Sequence, residues 1–124
     1  TTREFINDFW EYDINKNVWT RKQYSPDIAG ARAFVYKGKG YLYSGEEGRY
    51  YNSIRVKKTI YSYNSFNDKF ELIQIPDLPG RSHYAMSMIN DKVYFMGGYA
   101  IGNVWNPDPL SGNLEWNLDE YSGY

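Results

Sequence analysis

Two neighbouring carboxylates, Glu46 and Glu47, are the residues most suggestive of catalysis in this chain. Paired carboxyl groups can cleave a glycosidic bond as acid and base, but they must lie about 5–10 Å apart across a cleft. Adjacent residues of an extended segment diverge, and the sequence offers no obvious second acidic site. We therefore favour contact with a partner over hydrolysis as their role.

Basic and aromatic residues follow this pair directly, and such a mixture can bind single-stranded nucleic acid by phosphate contact and base stacking. The adjacent glutamates and a formal net charge of −1 weaken the electrostatic attraction on which that binding depends. Tyr, Trp and Arg dominate the energetically important positions of protein interfaces. We therefore predict a partner-binding loop rather than a nucleic-acid site. Its residues are Glu46, Glu47, Arg49, Tyr50, Tyr51 and Arg55.

A second long connection extends from Tyr99 to about Gly112. Pro107 and Pro109 restrict its backbone, and long connections tend to be surface features that carry function. Tyr99, Trp105 and Asp108 complete the predicted partner-binding set. The partner is predicted to be a protein, with a glycan stacked on Trp105 or Tyr99 as the alternative.

The remaining candidates for chemistry have simpler structural interpretations. His83 is the only histidine and there is no cysteine, whereas triads and zinc sites need several such groups. We expect His83 to have a structural packing role, with Ser82 on the opposite face of its strand. The segment Asp13–Asn17 resembles the start of a calcium loop but lacks the required glycine and the final glutamate, so we predict a polar turn. No catalytic residue, metal or cofactor is predicted, although the assignment as a non-enzyme stays open.

The elements that position these residues are predicted to be short strands. The chain has 124 residues, too few for more than one domain, and its fourteen Tyr and eleven Gly favour strands and tight turns. Alternating apolar residues flank turns at 37–40 and at Asn90-Asp91, which predicts two hairpins. We expect an all-β fold in which every strand pair is antiparallel. No apolar run approaches the roughly 20 residues that span a bilayer, so no membrane insertion is predicted.

Landmarks recur along the chain with a period near 50 residues. Tyr12 matches Tyr63 and Trp19 matches Phe70, each 51 residues later. We further match Arg32 with Arg81, Gly45 with Gly97, and, more weakly, Trp10 with Trp116. A residue that recurs in every repeat usually serves the fold, so we expect both arginines to tie strand ends to carbonyl groups or to a carboxylate such as Asp13.

The repeated residues resemble the kelch repeat, through Asn7–Asp13, Trp19 and Gly30–Arg32 in the first copy and Val93–Gly98 in the second. The resemblance implies a β-propeller of four-stranded blades. It covers the chain as part of one domain: outer strands of one blade at 8–22, a complete blade at 31–74 and an incomplete blade at 81–119. These are about two and a half antiparallel blades, a partial propeller that needs further blades from a longer chain or from self-association. The implied structural repeat residues are Trp10, Tyr12, Trp19, Arg32, Gly45, Tyr63, Phe70, Arg81, Gly97 and Gly98.

The resemblance also implies a function and a location. A kelch-type propeller without a catalytic set is expected to be a binding module that holds its partner on rim loops. The alternatives are a carbohydrate-binding propeller and a non-catalytic segment of an exported sugar-processing enzyme. The residue pattern of Asp8–Asp13 is similar to that of exported bacterial kelch proteins, so an extracytoplasmic location is expected.

Overall fold

The computed structural model describes residues 4–48, 50, 54–75, 80–103, 106–109 and 113–117, and every regular element in these ranges is a β-strand. The described part of the chain has no helix that is long and apolar enough to cross a membrane. The strands are β1 (Trp10–Asp13), β2 (Val18–Arg21), β3 (Arg32–Tyr36), β4 (Lys39–Tyr43), β5 (Glu46–Glu47), β6 (Arg55–Val56), β7 (Ile60–Asn64), β8 (Lys69–Ile73), β9 (Ala85–Ile89), β10 (Lys92–Met96), β11 (Tyr99–Asn103), β12 (Asn106–Pro109) and β13 (Asn113–Asn117).

These strands form several small sheets. The central sheet has four strands in the order β3-β4-β7-β8. A sheet of three strands in the order β9-β10-β13 follows it along the chain, after the β1-β2 pair and the central sheet, and we call it the third sheet. Three two-stranded pairs, β1-β2, β5-β6 and β11-β12, complete the set, and the described strands close no barrel. Each strand pair is antiparallel. The expectation of an all-β, antiparallel fold is confirmed.

Both inner hairpins turn tightly through left-handed residues. Lys37 and Gly38 join β3 to β4 with φ of 46° and 74°, and Asn90 and Asp91 join β9 to β10 with φ of 49° and 61°. Two consecutive positive φ values are the requirement of a type I′ turn, whose twist matches that of the flanking strands. The turn residues of the sequence therefore set the register of both hairpins.

The core lies between the central and third sheets and consists mostly of aromatic rings. Alternate residues of a strand share one face, so Phe34 and Tyr43 project toward the third sheet together. There Phe95 is fully buried, with its ring centroid 4.3 Å from that of Tyr43 and 6.4 Å from that of Phe34. Tyr84 closes one end of this layer, and its hydroxyl donates a hydrogen bond to the Tyr43 carbonyl oxygen (2.5 Å).

The strand pairing corrects three of the predicted repeat matches. Bridges Ala29–Glu46 and Ser82–Tyr99 place equivalent residues of the central and third sheets 53 positions apart. Arg32 is then equivalent to Ala85, so the match of Arg32 with Arg81 was wrong. Gly45 is likewise equivalent to Gly98 rather than to Gly97, and Trp116 aligns with Tyr63 rather than with Trp10. Unequal turn lengths shift the spacing between copies, and sequence identity alone cannot detect that shift.

The first pair, β1-β2, repeats the outer half of the central sheet at the predicted offset of 51. The hydroxyl of Tyr12 donates to Oδ1 of Asn17 (2.6 Å), and that of Tyr63 donates to Oδ1 of Asp68 (2.7 Å). Asp68 also accepts a hydrogen bond from the backbone N–H of Gln23 (2.9 Å). This carboxylate therefore links the β1-β2 pair to the central sheet. The hydrogen bond that it accepts from the Tyr63 hydroxyl lowers the pKa of Asp68.

Buried phenols make the fold sensitive to alkali. Burial raises the pKa of Tyr43 to about 12, and it also raises that of Tyr84. An exposed tyrosine in the unfolded chain ionises near pH 10. The contribution of this phenol to the free energy of unfolding is therefore fully present below about pH 10. It is lost as the pH rises toward the folded pKa of Tyr43, and the loss amounts to roughly 2–3 kcal/mol.

Urea unfolding between about pH 8 and pH 12 tests this prediction, with absorbance near 295 nm to follow phenolate formation. The midpoint is expected to stay constant up to about pH 10 and then to fall together with the appearance of phenolate. Equal midpoints at both ends of the range would contradict the assignment of these phenols to the core.

Candidate functional site

Within the residues that the structure describes, each of the two long connections of the central and third sheets contains a pair of short antiparallel strands. In the first, Glu46 pairs with Val56 and Glu47 with Arg55. The second is the β11-β12 pair, whose register shifts between Tyr99 and Ile101. β6 packs beside β11, so both connections lie at one edge of the molecule, which we call the rim.

Backbone hydrogen bonds hold the rim to the two larger sheets. The N–H of Glu46 donates to the Ala29 carbonyl oxygen (2.8 Å), and the N–H of Tyr99 donates to that of Ser82 (3.0 Å). Between them, the N–H of Gly45 donates to the carbonyl oxygen of Arg81 (2.9 Å). The rim is thus attached at the ends of β4 and β10, and its side chains stand on a rigid base.

Three of the predicted partner-binding residues have accessible side chains on the first rim hairpin. Tyr50 is 57% exposed, and Glu47 and Arg55 are exposed on neighbouring strands. Glu47 Oε2 forms an ion pair with the ammonium group of Lys57 (3.1 Å), while Arg55 Nη1 donates to the carbonyl oxygen of Ile54 (3.0 Å). Opposite charges and an aromatic ring therefore share this part of the surface.

Other members of the predicted set stand differently. Glu46 is only 2% exposed, so its side chain is not presented to a partner, and its inclusion in the contact set was wrong. The physical reason is that β5 pairs with β6 and with Ala29 on its two edges, which encloses Glu46. Asp108 lies on β12 opposite Ile101. Arg49, Tyr51 and Trp105 lie outside the described residues.

His83 lies at the rim, where sequence reasoning did not place it. The expected packing role at the inner hairpin was wrong: His83 is exposed, has a left-handed φ of 53°, and its ring centroid lies 5.7 Å from that of Tyr99 on β11. Ser82 does not face away from it, because Ser82 Oγ and His83 Nδ1 are 2.8 Å apart. Equivalence with Gly30, which also has a positive φ, is the signal that could have revealed this position.

The hydrogen bond between Ser82 and His83 does not make a nucleophile. Ser82 is fully buried, so a substrate carbon cannot reach its hydroxyl group. A serine–histidine pair can act only on a substrate that it can contact. Among the residues that the structure describes, no three His, Cys, Asp or Glu side chains converge as metal ligands. The chemistry that the rim does present is aromatic contact, charge and hydrogen bonding.

The two arginines both bind backbone carbonyl groups, as expected, although they are not equivalent. Arg32 Nε donates to the carbonyl oxygen of Tyr84 (3.1 Å), and Arg81 Nη1 donates to that of Gly97 (3.1 Å). Asp13, which was the alternative partner in the prediction, does not bind either arginine. Its Oδ1 accepts the backbone N–H groups of Asn15 and Lys16, both at 3.0 Å, and so closes a turn.

Comparisons with known proteins support the fold alone. No family model and no curated protein matches the chain. Solved structures do match, among them the structure of YjhT, with 18% identity and a TM-score of 0.62. The likeness covers 77% of this chain and 29% of YjhT, so the chain spans less than a third of that protein. These findings place the chain among all-β folds built from small antiparallel sheets.

Proposed function

We propose that this chain is part of a kelch-type β-propeller and that it serves as a binding module for a protein partner. The rim carries this proposal: Glu47, Tyr50 and Arg55 are accessible on one hairpin, beside the Tyr99 and His83 rings. Aromatic and Arg side chains supply most of the binding energy at protein interfaces. A rigid base reduces the entropy that such side chains lose on binding.

The propeller assignment rests on one strand arrangement that recurs in two sheets, which pack against each other. The strand order β3-β4-β7 recurs as β9-β10-β13 with antiparallel pairing throughout, and the two sheets pack face to face through aromatic rings. The similar solved structure is longer than this chain, which spans 29% of it, and this supports the proposal that the chain is part of a longer protein. An extracytoplasmic location, inferred from the resemblance of Asp8–Asp13 to exported kelch proteins, belongs to the same proposal.

A matched set of variants tests the rim. Proteins from cell-surface and secreted extracts of the source organism are captured on the immobilised chain, identified by mass spectrometry and purified for calorimetry. Tyr50→Ala and Arg55→Ala are each expected to weaken the identified complex about tenfold. Phe66→Ala removes a fully exposed ring from the β7-β8 turn, and it is expected to leave the affinity unchanged.

Equal affinity of all three variants would overturn the rim proposal. A carbohydrate partner is the second candidate, because the Tyr99 ring stands beside His83 and aromatic faces can stack on sugars. A glycan array separates the two: binding that Tyr99→Ala abolishes and Arg55→Ala leaves intact would replace the protein partner with a glycan.

A further inference from the structure

A small cavity, which we call the turn-end cavity, lies at the end of the central sheet opposite the rim. It is formed between the β3-β4 turn and the β7-β8 turn and has a volume of about 280 Å³. That volume is slightly below the range of about 300–1,000 Å³ that is usual for ligand pockets, so the cavity suits a small ligand. The side chains that line it are Lys37, Lys39, Tyr63, Asn64, Ser65 and Phe66.

The polar groups that the turn-end cavity offers to a ligand are hydrogen-bond donors. Lys37 and Lys39 carry ammonium groups, which donate hydrogen bonds and cannot accept them. Asn64 Oδ1 already accepts the backbone N–H of Phe66 (3.0 Å), so the amide NH₂ group of Asn64 is the part left for a ligand. The hydroxyl group of Ser65 is exposed and can donate as well. Such a lining favours a ligand that is rich in acceptor atoms.

The acidic residue of the β7-β8 turn is directed away from this cavity. Asp68 Oδ1 accepts the hydrogen bond of the Tyr63 hydroxyl (2.7 Å), and Oδ2 accepts that of the Gln23 backbone N–H (2.9 Å). Gln23 follows β2, so the carboxylate is held toward the β1-β2 pair. Within the described part of the chain, no acidic side chain lines the cavity. The two ammonium groups in the lining therefore attract a ligand of negative charge.

An aromatic ring stands beside the donors. Phe66 is fully exposed at the β7-β8 turn, so both faces of its ring are open to solvent. A flat ring on the ligand can pack against it in the offset or edge-to-face geometry that aromatic pairs prefer. Covering this ring would also remove apolar surface from water, which favours binding.

We propose that the turn-end cavity binds the phosphate monoester of a small aromatic ligand. A phosphate monoester carries a charge of about −1.5 to −2 at neutral pH and has three strong acceptor oxygens. These oxygens match the ammonium groups of Lys37 and Lys39 and the donors of Asn64 and Ser65, while the ring of the ligand lies against Phe66. The site does not depend on the proposed function of the rim, because β4 begins at the cavity and ends at the rim.

Phenyl phosphate is the probe, and nuclear magnetic resonance of the ¹⁵N-labelled chain follows its binding. The amide signals of residues 37–39 and 64–66 are expected to shift and to saturate. Phenyl phosphate is expected to bind about fivefold more tightly than inorganic phosphate, because it alone covers the Phe66 ring. Phenol, which has the ring without the charge, is expected to give no saturable shift.

Three variants locate the contacts. Lys39→Met removes an ammonium group and keeps an apolar side chain of similar length, and it is expected to weaken phenyl phosphate binding about tenfold. Lys58→Met makes the same change at an exposed position on the rim side of β7, and its affinity is expected to be unaltered. Phe66→Ala is expected to reduce the affinity for phenyl phosphate to that for inorganic phosphate. Circular dichroism checks that each variant is folded.

The proposal fails if the amides of the two turns do not shift, if Lys39→Met and Lys58→Met bind equally well, or if Phe66→Ala keeps the fivefold preference. Benzoate that binds as tightly as phenyl phosphate would replace the phosphate monoester with a carboxylate. Tyr50→Ala alters the rim alone, so its affinity for phenyl phosphate is expected to be unchanged. Failure at the cavity and failure at the rim are therefore distinguishable.

Discussion

Phe95→Ala is expected to lower the free energy of unfolding by about 3–5 kcal/mol, the range for removal of a buried aromatic ring. Phe95 is fully buried, and its ring touches those of Tyr43 and Tyr84, at centroid distances of 4.3 Å and 5.8 Å. These rings lie on different elements, so collapse into the void would have to move two sheets toward each other. The loss therefore includes both the transfer free energy of the ring and the cost of a cavity.

Urea unfolding followed by far-ultraviolet circular dichroism measures this loss. Phe66→Ala is the matched control, because it deletes the same ring from a fully exposed turn, and it is expected to stay within about 0.5 kcal/mol of the unaltered chain. Similar losses in the two variants would show that the central and third sheets do not pack through this aromatic layer.

Gly45→Ala is expected to destabilise the fold by about 3 kcal/mol or more, through backbone strain and a steric clash together. Gly45 has a φ of 104°, which residues with a side chain rarely adopt. A Cβ at this position would lie 2.7 Å from the carbonyl oxygen of Ala29. That oxygen cannot move away freely, because it accepts the N–H of Glu46 at the base of the rim.

Gly38→Ala separates the two contributions. Gly38 also has a positive φ, 74°, but an added Cβ would meet nothing within 4 Å, so only the conformational cost of about 1 kcal/mol is expected. Thermal unfolding of both variants gives the comparison. Equal losses would mean that the close approach of Gly45 to Ala29 contributes nothing, and that the rim is not anchored at this point.

Anchoring of the rim matters for the proposed function. Gly45 and the adjacent Ser44 bind Arg81 through its carbonyl oxygen and its N–H, at 2.9 Å and 2.6 Å. Arg81 in turn holds the Gly97 carbonyl oxygen at the start of the second rim connection. The two connections are therefore joined through buried polar contacts at Arg81.

The strands and turns of the chain could be predicted from the order of its residues. Alternation of Phe34, Tyr36, Tyr41 and Tyr43 predicts strands with one apolar face, and Asn90-Asp91 predicts a turn through left-handed residues. Both are confirmed, as is the antiparallel pairing that follows from short connections. The recurrence of Tyr12 as Tyr63 also predicted a shared local structure, and each hydroxyl donates to a turn side chain five residues on.

The partner of each face was decided only by tertiary packing. A period of two assigns side chains to two faces but does not state which face another sheet will cover. Val35 and Phe95 are both apolar strand residues, yet Val35 lines an open cleft and Phe95 is fully buried. The difference depends on whether a distant hairpin lies opposite, and contacts of that kind join residues far apart in the chain.

The amino-acid sequence by itself determined the strands, their turns and the polar and aromatic character of the two long connections. The tertiary structure decided that Glu46 is enclosed, that His83 stands beside Tyr99 at the rim, and that equivalent residues of the two larger sheets lie 53 positions apart. The physical reason is range. Turn and strand preferences act between neighbours, whereas burial depends on which sheets meet, and hydrogen bonds between distant segments such as Ala29 and Glu46 set that arrangement.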